Sequence, residues 1–241
     1  MPATRAVARR TLADARRRTL AFAYFFLAVA AVNVLGYRKS YPDLAERIRF
    51  ARSFGDNKAV RLFYGVPHDL LTTGGYAAWR VGGLMSIFAA MYGLLAAVRA
   101  LRAEEDTGRA ELVLANPLSR GAALGGALTG VLAGIVLLWL ATWLGFVITK
   151  LSVGPSAYLA LATVAPAAVF AGVGALASQV AASRRVALEL GSAAVGAALL
   201  IRVVADTTGG AGWLRWITPL GWSEEMRAFA GARPAVLLLP L

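Results

Sequence analysis

Few residues of this sequence have the types and spacing that catalysis requires. Two adjacent acids, Glu224 and Glu225, come closest to a carboxylate pair, but neighbouring residues on a helix point to different sides and cannot flank one scissile bond. The single histidine, His68, follows a proline in a polar loop, and one imidazole does not make a zinc site. The sequence contains no cysteine and no G-x-x-x-x-G-K-[ST] run, which excludes thiolate chemistry and a phosphate-binding loop. We therefore predict no catalytic or metal site and no cofactor bound by these residues.

The composition is that of a membrane protein. Hydrophobic residues make up 59% of the 241 residues and charged residues 16%, and the mean hydropathy is +0.63. Soluble proteins average about half apolar and a quarter charged residues. The net charge of +12 could indicate a nucleic-acid binder, but such a protein needs its basic residues on a solvated domain, and here they stand between apolar runs. The composition favours the lipid bilayer as a partner and argues against nucleic acid.

Long apolar runs predict an all-α, polytopic fold with one transmembrane domain of about six spans. A crossing needs about 20 apolar residues. The segments between the second and third spans and around the first 18 residues are expected on the cytoplasmic side. Two polar segments are expected outside. The segment 38–80 includes a modest amphipathic helix, and the tryptophans of segment 207–233 suit short helices at the outer leaflet. The predicted spans are 20–37, 81–101, 121–149, 158–180 and 186–205, with an incomplete sixth beginning at 234–241. This half-length run either ends against protein or indicates a fragment, and a fragment is favoured.

The first 18 residues carry six arginines against one acid, Asp14. They predict a short basic helix that lies on the anionic inner leaflet, and the positive-inside rule then places the N-terminus in the cytoplasm. A signal peptide is the alternative, but the uncharged run from Leu20 to Tyr37 exceeds the roughly 7 to 15 residues of its apolar region. The eight basic residues of segment 38–80 oppose this orientation, which is kept because the first helix usually dominates.

Two ionisable residues, Glu189 and Arg202, fall inside the fifth predicted span. An intramembrane charge is a candidate for a substrate or proton path. However, Arg185 and Asp206 stand four residues away from them, at the spacing of ion pairs along one helix face. Only 12 residues separate Glu189 from Arg202, so both side chains must reach the interface, or the helix must border a cavity or other protein. Anchoring of the helix ends is favoured over a transport role.

The second span offers an aromatic pair, Phe88 and Tyr92, four residues apart on one helix face. The two rings could stack on an apolar substrate. Packing inside the bundle is the favoured interpretation, and a substrate path is the alternative.

A charged stretch, RAEEDTGRAELVLANPLSR, joins the second and third spans from Arg102 to Arg120. A turn between two helices needs only a few residues, whereas this one predicts a short acidic helix that Asn116-Pro117 ends. With apolar residues beside its acids, the stretch indicates a cytoplasmic docking site.

This stretch resembles the hairpin of type-2 ABC exporter permeases. In that family the short helix is a coupling helix that inserts into a groove of the nucleotide-binding subunit, so the resemblance implies an ATPase partner that binds ATP and Mg. The segments YGVPHDLLTTGGYAAWRVGG and WITPLGWSEEMRAFAGARP further resemble bacterial exporters of polyketide antibiotics, of the tetronasin type. The hairpin positions carried over are Arg102, Glu104, Glu105, Gly108, Arg109, Glu111, Leu112 and Arg120, with Pro117 at the turn.

Members of that subfamily carry two six-span halves, and this sequence resembles one half. The resemblance implies a bacterial plasma-membrane permease that moves hydrophobic or amphipathic compounds outward, on a path between two halves lined by second and fifth spans. Two alternatives remain: a proton-driven secondary transporter with Glu189 as relay, and a non-transporting membrane scaffold or immunity protein. An enzyme is not expected.

Overall fold

The computed structural model of the chain describes residues 2–102 and 120–239. Every regular element in these two stretches is helical, and five helices are long and apolar enough to cross a membrane. The predicted all-α polytopic fold is confirmed. In chain order the helices are α1 (Pro2–Ser40), α2 (Leu44–Phe54), α3 (Lys58–Tyr64), α4 (Thr73–Ala77), α5 (Gly83–Arg102), α6 (Arg120–Val147), α7 (Val153–Val180), α8 (Arg184–Thr207) and α9 (Pro219–Glu225).

The sequence predicts a separate basic helix before the first span, but the structure has no break between the two. The arginine-rich residues and the apolar run form one uninterrupted helix, α1, of 39 residues. The reason is local, because residues 3–35 contain neither proline nor glycine, the residues that end helices. At about 1.5 Å per residue, α1 is roughly 58 Å long, against a hydrocarbon core of about 30 Å. The helix is therefore longer than the span, and its arginine-rich end extends the span along the same axis.

The helix that contains the second predicted span, 81–101, begins earlier, at Thr73. The Thr72 hydroxyl accepts a hydrogen bond from the Gly75 amide at 3.0 Å and starts α4. A π-helical turn at Ala78–Gly82 then joins α4 to α5, so the helix runs without a break to Arg102. Such turns add a residue to the helix and shift the faces that its two parts present.

Glycines set the closest approaches between the spans. A Cβ at Gly93 of α5 would overlap the Ala167 carbonyl of α7, and a Cβ at Gly130 of α6 would lie 2.8 Å from the Thr11 side chain of α1. Small residues let helix backbones meet in lipid, where packing takes the place of the hydrophobic effect. The contact at Thr11 also shows that the basic part of α1 packs along α6.

The segment 41–72, which the sequence predicts to lie outside, covers the ends of α1 and α4 with the two short helices α2 and α3. The predicted amphipathic helix is present as α2, capped by the Asp43 carboxylate, which accepts a hydrogen bond from the Glu46 amide at 2.8 Å. Below it lies an aromatic cluster whose buried members include Tyr37, Phe50 and Trp79. This cluster fixes the segment against the spans.

The segment after α8 packs into the bundle more deeply than a helix at the outer leaflet would. Leu220 and Met226 in and after α9 are almost fully buried. Pro166 lacks the amide that would bond the Ala162 carbonyl of α7, and the Ser223 hydroxyl donates to that carbonyl at 3.0 Å instead. Ala162 lies nine residues into α7, or roughly 14 Å.

Only the start of this segment suits a membrane interface as predicted. Trp213 and Trp216, in a 3₁₀ helix at Gly212–Ile217, are exposed. The predicted start of a sixth span contains a short 3₁₀ helix at Pro234–Leu238, close to the last described residue.

Candidate functional site

Most of the predicted coupling residues lie outside the described residues. These are Glu104, Glu105, Gly108, Arg109, Glu111, Leu112 and Pro117. The structure describes the two helices that carry them, α5 up to Arg102 and α6 from Arg120. Arg99, one turn before Arg102, experiences the charges of Arg18 in α1 and Arg184 in α8. The hairpin therefore leaves the bundle at the end that holds the basic part of α1.

The first residue of the predicted hairpin, Arg102, ties the second span to the fourth. Its guanidinium donates hydrogen bonds to the carbonyls of Ser178 and Ala181 at the end of α7. The last carbonyls of a helix have no partner within it, and a basic side chain there satisfies them. The base of the hairpin is thereby fixed to two spans.

The aromatic pair of the second span packs against the first. The Tyr92 and Thr19 hydroxyls are 3.0 Å apart and buried, and the Tyr92 ring lies 5.2 Å from that of Phe22. Phe88 meets Phe25 edge to face at 5.5 Å. These contacts support the packing interpretation, and a role in a substrate path stays a prediction.

Glu189 forms the predicted surface pair with Arg185. Its carboxylate accepts a hydrogen bond from the Arg185 guanidinium at 2.9 Å, and the two side chains are 60% and 89% exposed. The spacing of four residues along α8 explains the pair. On this face α8 presents a shallow groove lined by Arg184, Leu188 and Ser192 as well.

Arg202 is completely buried. The predicted pair with Asp206 is present at 3.5 Å, and a stronger contact joins it to Glu224, whose carboxylate accepts from the guanidinium at 2.6 Å. A further guanidinium nitrogen donates to the Gly83 carbonyl at 2.9 Å, where α5 begins after the π-helical turn. Arg202 thus connects the second span, the fifth span and α9, which agrees with the alternative of a helix that borders other protein.

A second arginine, Arg215, completes the contact from the 3₁₀ helix. It donates to Asp206 at 2.6 Å and lies 3.7 Å from Glu224, so each of these two buried carboxylates faces two arginines. The Nη1 atom of Arg215 also lies 3.4 Å from the Oε1 atom of Glu225.

Glu225 shares Arg215 with Glu224 but also contacts two other arginines. It lies 3.2 Å from Arg227 and accepts from Arg233 at 2.9 Å. Together these residues form what we call the outer ion network: Arg202, Asp206, Arg215, Glu224, Glu225, Arg227 and Arg233.

Burial shapes the electrostatics of this network. Desolvation, together with the nearby Asp206 charge, raises the pKa of Glu224 to about 8, although Arg202 and Arg215 oppose the rise. Beside Glu224, between Trp79 and Ser223, lies a cavity of about 40 Å³. That volume suits one or two water molecules bound by polar groups.

Gly65 closes the loop after α3 over the Arg202–Glu224 pair. Its φ of +75° is one that residues with a side chain rarely adopt. A Cβ at this position would overlap the Glu224 carboxylate and lie 2.9 Å from the Arg202 guanidinium. The segment 41–72 therefore also contacts the network, through Gly65.

Sequence reasoning missed the outer ion network because its strongest contact joins residues 22 positions apart. The available signal was an arginine in the fifth span followed by two adjacent acids in the next polar segment. Among the described residues there is no group of three His, Cys, Asp or Glu side chains that could hold a metal ion. The network connects α8, α9 and the start of α5.

Five packed spans, a buried ion network at one end and a basic end at the other define a polytopic helical membrane protein. The model of the family described as "Multidrug efflux system permease Rv1217c, C-terminal domain" matches residues 49–240, and the chain belongs to this family.

A curated relative covers a still larger part of the chain. The multidrug efflux system permease protein Rv1217c of Mycobacterium tuberculosis is 33% identical over 214 residues, which make up 88% of this chain. The match spans 38% of the relative, so the chain corresponds to less than half of that protein's length.

Proposed function

We propose that this chain is one membrane half of an exporter permease, which moves hydrophobic or amphipathic compounds outward across a bacterial plasma membrane. The observation that carries the proposal is the family match over residues 49–240, whose description is that of a multidrug efflux permease. The five spans provide the membrane body. The concentration of arginines at the hairpin end favours a cytoplasmic N-terminus.

We further propose that export is driven by ATP hydrolysed on a partner subunit, which docks on residues 102–120. Four acids and several apolar side chains lie between Arg102 and Arg120, and they suit a basic, partly apolar groove. Arg102 links the hairpin to the end of α7, so a displacement of the hairpin would be passed to two spans. ATP and Mg would bind to the partner.

The second half of the permease is proposed to come from the same longer chain or from another copy. The relative's greater length supports this arrangement. Its partner surface would include the exposed face of α8 around Glu189. Polyketide antibiotics of the tetronasin type are the proposed substrate class, on the sequence resemblance.

The test is affinity purification of the full-length permease from native membranes, with mass spectrometry of the proteins that accompany it. Wild type is compared with Glu105→Arg/Glu111→Arg. A matched control, Glu46→Arg/Asp56→Arg, makes the same charge change at the opposite end of the bundle. We expect an ATPase to copurify with wild type and with the control and to be lost from the hairpin variant.

The proposal is overturned if no ATPase accompanies wild type in a detergent that preserves known complexes of this kind. A transport assay separates the remaining alternatives. Export that survives ATP depletion but stops with Glu189→Gln would identify a proton-driven transporter. A copurifying ATPase whose activity no substrate stimulates would identify a scaffold.

A further inference from the structure

The arginine-rich part of α1 reaches the middle of the third span. The Thr19 hydroxyl of α1 lies 3.0 Å from the Tyr92 hydroxyl of α5, and both are buried. A Cβ at Gly134 of α6 would lie 3.5 Å from the Thr19 side chain. Gly134 stands midway along α6, a helix of 28 residues, so Thr19 is level with the centre of that helix.

The fourth span indicates the same level. Gly93, which follows Tyr92 in α5, is the residue whose Cβ would overlap the Ala167 carbonyl, and Ala167 stands midway along α7. Apart from Arg120 at its start, neither α6 nor α7 contains a charged residue. The level of Thr19 is therefore near the centre of a hydrocarbon layer of about 30 Å.

Arginines occupy α1 directly below this level. Arg16, Arg17 and Arg18 end one residue before Thr19 and are all exposed, as are Arg9 and Arg10. Arg9 and Arg10 precede Arg16 and Arg17 by seven residues, or about two helical turns and roughly 10 Å. These two pairs lie on the side of α1 opposite to its contacts with α6 at Gly130 and Gly134. We call Arg9, Arg10, Arg16 and Arg17 the arginine face.

Lipid cannot cover the arginine face at this depth. An arginine near a helix end extends to the headgroups, but one at the centre of the layer does not reach them. Charged residues inside a membrane accordingly face a water-filled cavity or other protein, and they mark substrate paths. Asp14, the only acid of α1, lies 3.8 Å from Arg10, so α1 supplies one negative charge beside the four positive charges of this face.

Water suits four guanidinium groups on one face better than a protein surface does. Burial of charges in protein is unfavourable unless each one finds a partner with good geometry. In a water-filled groove the same groups remain hydrated, and the apolar walls concentrate their positive potential. On the same side of α1 the next residues are apolar, since Leu20 and Tyr24 are 47% and 74% exposed. A positive surface thus continues into an apolar one.

We propose that the arginine face lines a water-filled groove, open at the hairpin end, and binds the anionic group of an amphipathic compound whose apolar part lies against Leu20 and Tyr24. Guanidinium groups bind carboxylates through paired, charge-assisted hydrogen bonds. The inference rests on the proposed export of amphipathic compounds and assigns a negative charge to that substrate class. A phospholipid of the bilayer is not this ligand, because its phosphate stays at the membrane surface, away from the level of Arg16 and Arg17.

The first measurement uses single cysteines, since the chain contains none. Ala13→Cys places a thiol on the arginine face, at an exposed position. Leu132→Cys is the control at about the same depth, because Leu132 is 51% exposed and stands two residues after Gly130, as Ala13 does after Thr11, and Thr11 contacts Gly130. The full-length permease, free of other cysteines, is reconstituted in phosphatidylcholine bilayers. It is treated with membrane-impermeant thiosulfonates that carry a sulfonate or a quaternary ammonium group.

We expect Ala13→Cys to react and to prefer the anionic reagent by about tenfold or more, relative to free cysteine, because the arginine face concentrates anions. Leu132→Cys should react with neither reagent, because lipid covers it.

The second measurement is protection of Ala13→Cys by dodecanoate, with dodecan-1-ol as an uncharged control of equal chain length. Dodecanoate at ten times its Kd should slow the labelling about tenfold, and dodecan-1-ol should leave the rate unchanged. Arg16→Gln/Arg17→Gln should weaken the binding of dodecanoate by about tenfold or more, since it removes charged hydrogen-bond donors. Arg49→Gln/Arg52→Gln, two exposed arginines of α2 at the other end of the bundle, should not change it.

The proposal is overturned if Ala13→Cys is as unreactive as Leu132→Cys, because lipid or protein would then cover the face. Equal protection by dodecanoate and dodecan-1-ol, or protection that Arg16→Gln/Arg17→Gln leaves unchanged, would overturn it as well. Neither measurement involves an ATPase, so a failure here is distinct from a failure of the copurification that tests the export function.

Discussion

Replacing Arg202 by glutamine tests whether the outer ion network holds the second and fifth spans to α9. The variant loses the hydrogen bonds to Glu224 at 2.6 Å and to the Gly83 carbonyl at 2.9 Å, and the ion pair with Asp206 at 3.5 Å. The Arg202 side chain is 1% exposed, and those of Asp206 and Glu224 are 0% and 9% exposed. The two carboxylates would therefore remain buried with one arginine, Arg215, between them.

The size of the effect follows from this burial. Removal of one partner from a buried ion pair costs about 3 to 5 kcal/mol. Arg215 still contacts both carboxylates, and a carboxyl left without its arginine can take up a proton. Both effects limit the loss, so we expect a decrease of about 3 kcal/mol in the free energy of unfolding at pH 9, above the pKa of Glu224.

Arg185→Gln is the matched control, because it removes an arginine from the same helix and from a pair of the same spacing. That pair is largely exposed, and exposed pairs contribute about 0 to 1 kcal/mol. The two variants should therefore differ by roughly 2 kcal/mol or more.

The assay is denaturant-induced unfolding in detergent micelles, followed by tryptophan fluorescence, with thermal unfolding as a second measure. For a chain of this size, 3 kcal/mol corresponds to roughly 6 to 12 °C in Tm. The double variant Arg202→Gln/Glu224→Gln should be less destabilised than the sum of its single changes, because the buried charge is removed with its partner. Equal stabilities of Arg202→Gln and Arg185→Gln, or strict additivity in the double variant, would refute the reasoning.

Three further outcomes are expected. Gly93→Leu should prevent α5 from packing on α7 and abolish a monodisperse gel-filtration peak. The control Gly172→Leu should leave the peak intact, because a Cβ at that position meets open space. Equal loss of the peak in both variants would contradict the close approach of α5 and α7 at Gly93. Tyr92→Phe should cost about 1 kcal/mol in chemical unfolding, because it leaves the buried Thr19 hydroxyl 3.0 Å away without this partner; a change smaller than the experimental error would show that the contact contributes nothing. Because the folded protein holds a proton on Glu224 up to a pKa of about 8, against an ordinary value of 4.5, its contribution to stability is full below about pH 4.5 and is lost as the pH rises to 8. The wild-type Tm should accordingly fall more over this range than that of Glu224→Gln, and parallel curves would contradict the shift.

The spans could be predicted from the sequence because lipid demands an apolar run at each crossing. Their ends were less predictable. Thr72 starts the second span through a hydrogen bond, and the arginines of α1 continue the first span because nothing interrupts the helix. Hydropathy measures where a helix can lie in lipid, and it does not measure where the backbone stops being helical.

The candidate site was predictable only where its contacts are local. The pairs Arg185–Glu189 and Arg202–Asp206 follow from helical spacing. The contact between Arg202 and Glu224 depends on a turn that brings α9 back into the bundle, and hydrophobic periodicity carries no information about that return. The hairpin residues between 103 and 119 lie outside the described structure, and their coupling role stays a prediction.

The unbroken first helix has a mechanical consequence. Since the basic part of α1 packs on α6 at Gly130, and α6 begins at the end of the hairpin, the extension of α1 and the base of the hairpin lie side by side. A rod of roughly 58 Å that tilts by about 10° around its midpoint moves each end by about 5 Å. The first helix therefore connects the two ends of the bundle, with Tyr37 in the aromatic cluster at one end and its arginines at the end where α6 begins.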